Sequence, residues 1–369
     1  AGTGDLVAWV EVPTVSSTDN TDIYLYYGNA TAVNQRNPTG AGVWEPNYVG
    51  VWHLNETVND ETTGGTHSDS TWNYNEGSQN NNDDVTGKIA GAQYFDGTSD
   101  YITVPDSSTL DMGSSQDFTV SAWVKSNQSL QAGNWPAIVR KINDGGPASD
   151  GYGLVLFSEL SDQWYPEIYD DGPIYTVSGN SVRDDTWHYI AGVRVGANLR
   201  ALEDGVQIGV DEPGSSGDLS NSYPLRMGDG CDTPPTGALS YQGAIDEVRI
   251  SKIVRSAAWT LAEYNNITNP AGFFLTGIEE GPATNGDPFQ NGWTYRKRLT
   301  IDASRVAADL TDFPVLINTT DADWKEDDSY SGHVAQDDGG DIIFTAGDGV
   351  TRLYHEIEKY EPSTGQLVA

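Results

Sequence analysis

Short runs of alternating apolar and polar residues, each closed by turn formers, most constrain this chain. DLVAWVEVP (residues 5–13) and DIYLYYGNA (22–30) alternate in this way and read as half-buried strands. From Val49 to about Gly281 the pattern recurs in GVWHLNE, AQYFDGTSDYITV, FTVSAWVKS, PAIVRKI, YGLVLFS, WHYIAGVRV, LRALEDGVQIG and GAIDEVRIS. Each run is bounded by Gly, Asp, Asn, Ser or Pro, and long apolar helical stripes are missing. Many short strands at this spacing specify an all-β sandwich. RSAAWTLAEYNN (255–266) is the best helix candidate. From Trp293 strands resume in YRKRLTID, FPVLINT, DIIFTAG and LYHEIEKYE.

The chain of 369 residues is long enough for two or three domains. VNQRNPTGAGVWEPN (33–47), rich in Pro, Gly and Asn, reads as a domain junction. The strand material before it is too short to fold alone. The division expected is therefore 1–45, 46–282 and 283–369. The net charge of −35 repels nucleic acid, whose phosphates are held by Lys and Arg, and an anionic membrane surface likewise. A single cysteine, Cys231, excludes an intrachain disulfide and a multi-cysteine metal site. No apolar run is long enough to insert into a membrane.

YVGVWHLNE (48–56), GKIAGAQYFDGTSDYITVPDSSTLD (87–111), FTVSAWVK (118–125), TWHYIAGV (186–193) and YQGAIDEVRIS (241–251) occur in one order. In that order they resemble the LamG-like branch of the concanavalin A-like lectin/glucanase jelly rolls. The flanks resemble a small β domain of unknown function that often precedes LamG-like domains in prokaryotic surface proteins. Its beginning resembles WTYRKRLTID through LYHEIEKYE, and its end resembles LVAWVEVPTVSSTDNTDIYLYYGN. The resemblance thus implies a LamG-like jelly roll plus a small β-sandwich split between the two ends of the chain.

The chain also closes on STGQLVA after nearly opening on GTGDLVA. Together with the split domain, this reads as one period of a head-to-tail array. The expected junction residues are Leu6, Val7, Ala8, Leu367, Val368 and Ala369. Two alternatives stay open: covalent continuation, or strand complementation between separate subunits. A permuted monomer with adjacent termini is the plain alternative to both.

Catalytic signals are weak, and no enzyme is expected. Jelly-roll glycosidases use paired carboxylates, and EIYDD (167–171) and ALEDG (201–205) are the nearest approach, the second reading as a hairpin turn. The five histidines show no metal spacing, and His188 reads as a packed strand residue. Calcium is the expected cofactor, since it takes carboxylate and carbonyl oxygens. The LamG resemblance offers Asp96 and Asp100 in FDGTSD and Asp246 in GAIDEV for it. QDDGGD (336–341) is a second acidic turn. Trp72, Trp135, Trp164 and Tyr165 lie in loop-like contexts where a ring could stack on a sugar. Sequons at Asn29, Asn55, Asn127, Asn266 and Asn318 are the glycosylation candidates.

The expectation from sequence is an extracellular or cell-surface protein. Its first reading is a structural repeat of a fibre, stalk or sheath with further copies as partners. The second is an adhesin or lectin with glycans as partners.

Overall fold

The computed structural model describes residues 4–34, 42–44, 47–58, 65–129, 133–142, 149–157, 163–171, 174–176, 179–230, 239–281, 289, 292–326 and 331–363. It is nearly all β. The chain divides into two compact units, one of residues 1–45 with 261–369 and one of residues 46–260. The second boundary was expected at 282 and falls at 260. The reason lies in packing: Asn266 exchanges two hydrogen bonds with the backbone of Leu316, and Phe274–Glu280 pairs with Tyr295–Ile301.

The central unit is a sandwich of two antiparallel sheets. Among the described residues the first sheet has eight strands. They run in the order Ile174–Thr176, Gln163–Tyr169, Gly151–Phe157, Ala137–Ile142, Leu225–Met227, Tyr101–Val104, Gly77–Asn80 and Thr66–His67. The second runs Val206–Pro213, Asn198–Glu203, His188–Val195, Phe118–Lys125, Gln242–Ser251, Gly91–Asp96 and Asp83–Thr86, with Tyr48–Trp52 also paired to Gln242–Ser251. Alternate residues of both sheets meet in one core that includes Trp52, Phe95, Ile102, Val120, Tyr152, Leu154, Trp164, Ile168, Met227 and Ile245. This burial is what holds the two layers together.

Local chemistry sets the details. Asp204 and Gly205 both take positive φ (51° and 77°) in the two-residue turn between Asn198–Glu203 and Val206–Pro213. Asp-Gly is the pair that such a twisted turn favours. Ser256 Oγ accepts the Trp259 amide and starts the helix Ala257–Thr268.

Gln242–Ser251 carries a bulge after Asp246, where Glu247 takes φ 52°. The bulge delivers the Glu247 carboxylate to His53 Nδ1 at 2.7 Å and Arg249 at 2.5 Å in the interior. Burial pushes that carboxyl up, but the His53 and Arg249 charges outweigh it and hold it below its ordinary value.

The outer unit is a smaller sandwich. One sheet runs Leu310–Asp321, Gly4–Val15, His355–Glu361, and the other runs Phe274–Glu280, Tyr295–Ile301, Thr21–Tyr27, Ile343–Ala346. The two N-terminal strands are therefore interior strands in both sheets. Leu6, Val7, Ala8, Trp9 and Val10 are all buried, so the first strand is covered on both faces. Trp9 meets Trp44 edge-on at 5.1 Å, and both indoles donate to carboxylates, Glu358 and Glu356. Pro314 lies in Leu310–Asp321, at the sheet edge, where a missing N–H does least harm.

In this single chain the N-terminal strand pairs with C-terminal strands of the same molecule. Leu6, Val7 and Ala8 face Thr319, Asn318 and Ile317 of the same molecule. Leu367, Val368 and Ala369 lie outside the described residues.

Candidate functional site

The first sheet of the central unit has one face in the core and one turned away from it. Period-two alternation decides which residues reach the outer face. In Gln163–Tyr169 they are Tyr165, Glu167 and Tyr169, while Trp164 and Ile168 enter the core. In Gly151–Phe157 they are Gly153 and Val155, while Tyr152, Leu154 and Leu156 go inward. Arg140 and Arg226 are register partners, and Arg226 faces Thr103 on its other side. One row across the sheet therefore reads Glu167, Gly153, Arg140, Arg226, Thr103, Ser78.

This row is polar and mostly buried. Glu167, Arg140 and Arg226 are 1%, 3% and 6% exposed. Arg140 Nε donates to Glu167 Oε1 at 2.7 Å, and its Nη2 donates to the Tyr169 hydroxyl at 3.1 Å. Arg226 donates to the Gly230 carbonyl at 2.9 Å, lies 3.7 Å from Asp229 Oδ1, and stacks over Tyr101 at 4.5 Å. Two guanidinium groups side by side repel each other. Here each has its own carboxylate and its own aromatic ring. Beside them, Trp135 packs on Tyr165, Val155 and Ala137.

Such a row costs stability. Desolvating two ion pairs is expensive, and apolar residues of similar size often do as well or better. What it supplies is a bridge of ion pairs and ring contacts that ties the strands Gln163–Tyr169, Ala137–Ile142 and Leu225–Met227 together. Glu167 is held by Arg140, and a second buried carboxylate, Asp229, lies beside Arg226.

The expected sites resolve as follows. Asp96 and Asp100 stand in one loop, where Asp100 Oδ2 accepts the Asp96 amide at 2.7 Å and Asp96 accepts the amides of Thr98 and Ser99. Burial first, then the charges of Asp96 and Asp83, push the Asp100 carboxyl up to about 6. Asp246 is not with them. The register partner of Asp96 is Gln242, four residues along the strand and so about 13 Å from Asp246. Asp246 Oδ2 instead accepts the amides of Lys88 and Ile89 at 2.7 and 3.0 Å. The three aspartates do not form one ion site.

Asp341 of the second acidic turn is buried, and its Oδ2 accepts the amides of Gly28, Asn29 and Ala335. Of the aromatics, Trp164 is a core residue that donates to Glu203 at 2.8 Å, and Trp72 is exposed. Trp135 and Tyr165 come together on the outer face. Asn127 is exposed and Asn318 half-buried, but Asn29, Asn55 and Asn266 are buried. Asn266 cannot carry a glycan here because its amide is committed to Leu316.

His188 is more than a packed strand residue. Its ring nitrogens meet Asp204 at 3.3 Å and Asp184 at 3.2 Å. The Asp204 hydrogen bond, joined by Asp184 and opposed by burial, raises it to about 9. His333 similarly meets Glu279 at 2.7 Å, stacked 4.0 Å from Tyr295. Asp184 is four residues before His188, a local signal, whereas Asp204 and Glu279 come from other strands and turns and follow no sequence spacing. The Arg140–Arg226 row was also missed. Its signal was present as a basic pair inside an apolar strand, AIVRKI, in a chain with 19 Lys and Arg against 54 Asp and Glu.

Residues 96–259 match the family model of the concanavalin A-like lectin/glucanases superfamily, Laminin_G_3. No curated protein sequence matches. Among solved structures, the chain is similar to the binding domain of Paraclostridial Mosquitocidal Protein 1, at 14% identity and TM-score 0.47 over 59% of this chain and 52% of that one. It is similar to domain 4 of an extracellular arabinanase from Geobacillus stearothermophilus in complex with arabinotriose, at 20% identity and TM-score 0.42 over 58% and 96%. A third likeness is to the botulinum neurotoxin serotype D binding domain, at 11% and 0.45 over 59% and 51%. The chain spans about half the length of the two toxin binding domains.

Proposed function

We propose, from the match of residues 96–259 to the concanavalin A-like lectin/glucanases superfamily, that the central unit is a carbohydrate-binding module of an extracellular or cell-surface protein. The observation that carries this reading is Trp135, half-buried and packed on Tyr165, Val155 and Ala137 on the outer face of the first sheet. An aromatic face covers the apolar side of a pyranose ring. Glu167 and Arg140, buried and paired with each other, fix the strands beneath this surface.

The test is affinity electrophoresis of the whole protein through gels containing a panel of soluble polysaccharides. Retardation in at least one gel, reduced by Trp135→Ala, supports the reading. Equal mobility in every gel removes it.

A further inference from the structure

The outer unit is built from two pieces of chain that meet only in space. Residues 4–27 supply one interior strand to each sheet, and the C-terminal piece supplies the remaining strands. Among the described residues, Leu310–Asp321 and His355–Glu361 pair in their sheet with Gly4–Val15, and Ile343–Ala346 pairs with Thr21–Tyr27. Take the N-terminal segment away and these three strands lose their sheet partner. The C-terminal piece therefore has two open slots, each lined by backbone N–H and C=O groups that must be paired. The covalent path from donor to acceptor within one chain runs through all of residues 46–260. No short local connection ties the donor to its own acceptor.

A second observation concerns the first slot. Its register pairs Asp5 with Glu361. In the closing repeat the counterpart of Asp5 is Gln366, and Pro362, Ser363, Thr364 and Gly365 separate it from Glu361. As a sequence, Gln366-Leu367-Val368-Ala369 repeats Asp5-Leu6-Val7-Ala8 with one difference.

We propose that the outer unit is a strand-exchange joint, and that its partner is a second copy of this chain. Residues 4–27 of one molecule occupy the slots of another, with the same register and the same contacts. Because the contacts are identical, the balance between closed and exchanged forms is set by effective concentration. Mutual exchange between two copies closes a dimer. Donation onward to a third copy has no closure and propagates a filament. This proposal is independent of glycan binding by the central unit.

The test uses Thr14 and Thr311, which are register partners on neighbouring strands and are both exposed. Antiparallel partners are close enough for a disulfide. Full-length Thr14→Cys and full-length Thr311→Cys, each also Cys231→Ser, are mixed in denaturant, refolded together at high protein concentration and oxidised. A disulfide-linked species of twice the monomer mass, absent when either variant is refolded alone, is the expected result. The double variant Thr14→Cys/Thr311→Cys in one chain should cross-link within the monomer at high dilution. Closure of the double variant with no mixed species at any concentration overturns the proposal. Failure of the double variant to close removes the register on which it rests and overturns it as well.

Discussion

Arg140 Nε and the Glu167 carboxylate meet at 2.7 Å although their strands are not neighbours in the sheet. The strand between them presents Gly153 to both. A Cβ on Gly153 would lie 2.8 Å from the Val139 carbonyl oxygen, 3.1 Å from Arg140 Cγ and 3.3 Å from Glu167 Oε1. The missing side chain is what lets the ion pair bridge over an intervening strand.

The first prediction follows from that bridge. Gly153→Ala should destabilise the protein by about 1–3 kcal/mol through overpacking against backbone. Glu167→Ala leaves a buried guanidinium without its carboxylate and should cost about 3–5 kcal/mol. Glu167→Gln keeps an acceptor and should cost less than Glu167→Ala. Urea unfolding of the three variants checks the order. Equal stabilities for Glu167→Ala and the parent would remove the bridge as a structural element.

His188 makes stability depend on alkaline pH. Its folded value, about 9, lies above its ordinary value near 6.5. The proton is bound more tightly in the folded protein, so the contribution is full below about 6.5 and fades as pH rises to about 9. His188→Gln should flatten that part of a melting-temperature profile measured between these limits. An unchanged slope in the variant would show that the Asp204 and Asp184 contacts do not hold the proton.

Asp100 acts in the opposite sense to a salt-bridged carboxylate. Its folded value, about 6, lies above its ordinary value, so its proton stabilises the fold at low pH. Stability is predicted to fall as pH rises from about 4 to about 6. At pH 7 Asp100→Asn should be more stable than the parent, because it removes a charge that is buried and repelled by Asp96 and Asp83. Calcium held by Asp96 and Asp100 would reverse this. The parent would then gain melting temperature with added calcium and Asp100→Asn would not. Calcium titration of both proteins, followed by thermal melting, reads the two cases apart.

Glycan acceptance should follow exposure. In a host that modifies N-x-S/T sites, Asn127 should be occupied and Asn266 empty, because a buried, hydrogen-bonded amide cannot reach the transferase. Peptide mapping by mass spectrometry checks this. A glycan on Asn266 would mean that its contacts with Leu316 are not formed when modification occurs.

The strand pattern was legible because it is local. Alternation and turn residues placed runs such as DIYLYYGNA and LRALEDGVQIG close to Thr21–Tyr27 and to the hairpin at Asp204-Gly205. The helix expected over 255–266 lies at Ala257–Thr268, where the Ser256 cap sets its start. The outer row of the first sheet was not legible. Its membership depends on which strands become neighbours, and Arg140, Glu167 and Arg226 come from runs separated by long stretches of other structure. Asp246 failed as a partner of Asp96 for the same reason, since four residues of register decide whether two carboxylates meet.

By itself the sequence determined an all-β protein of extreme acidity, a run of short strands in its middle, and a repeated motif at its two ends. These are properties of periodicity, composition and local turn chemistry. Only the tertiary structure decided that Gly4–Val15 is an interior strand between Leu310–Asp321 and His355–Glu361. Only it decided that Arg140 reaches Glu167 across Gly153. Both depend on pairing between distant segments. Backbone hydrogen bonds are the same for every residue, so the choice of partner strand is made by burial on the two faces and not by any local signal.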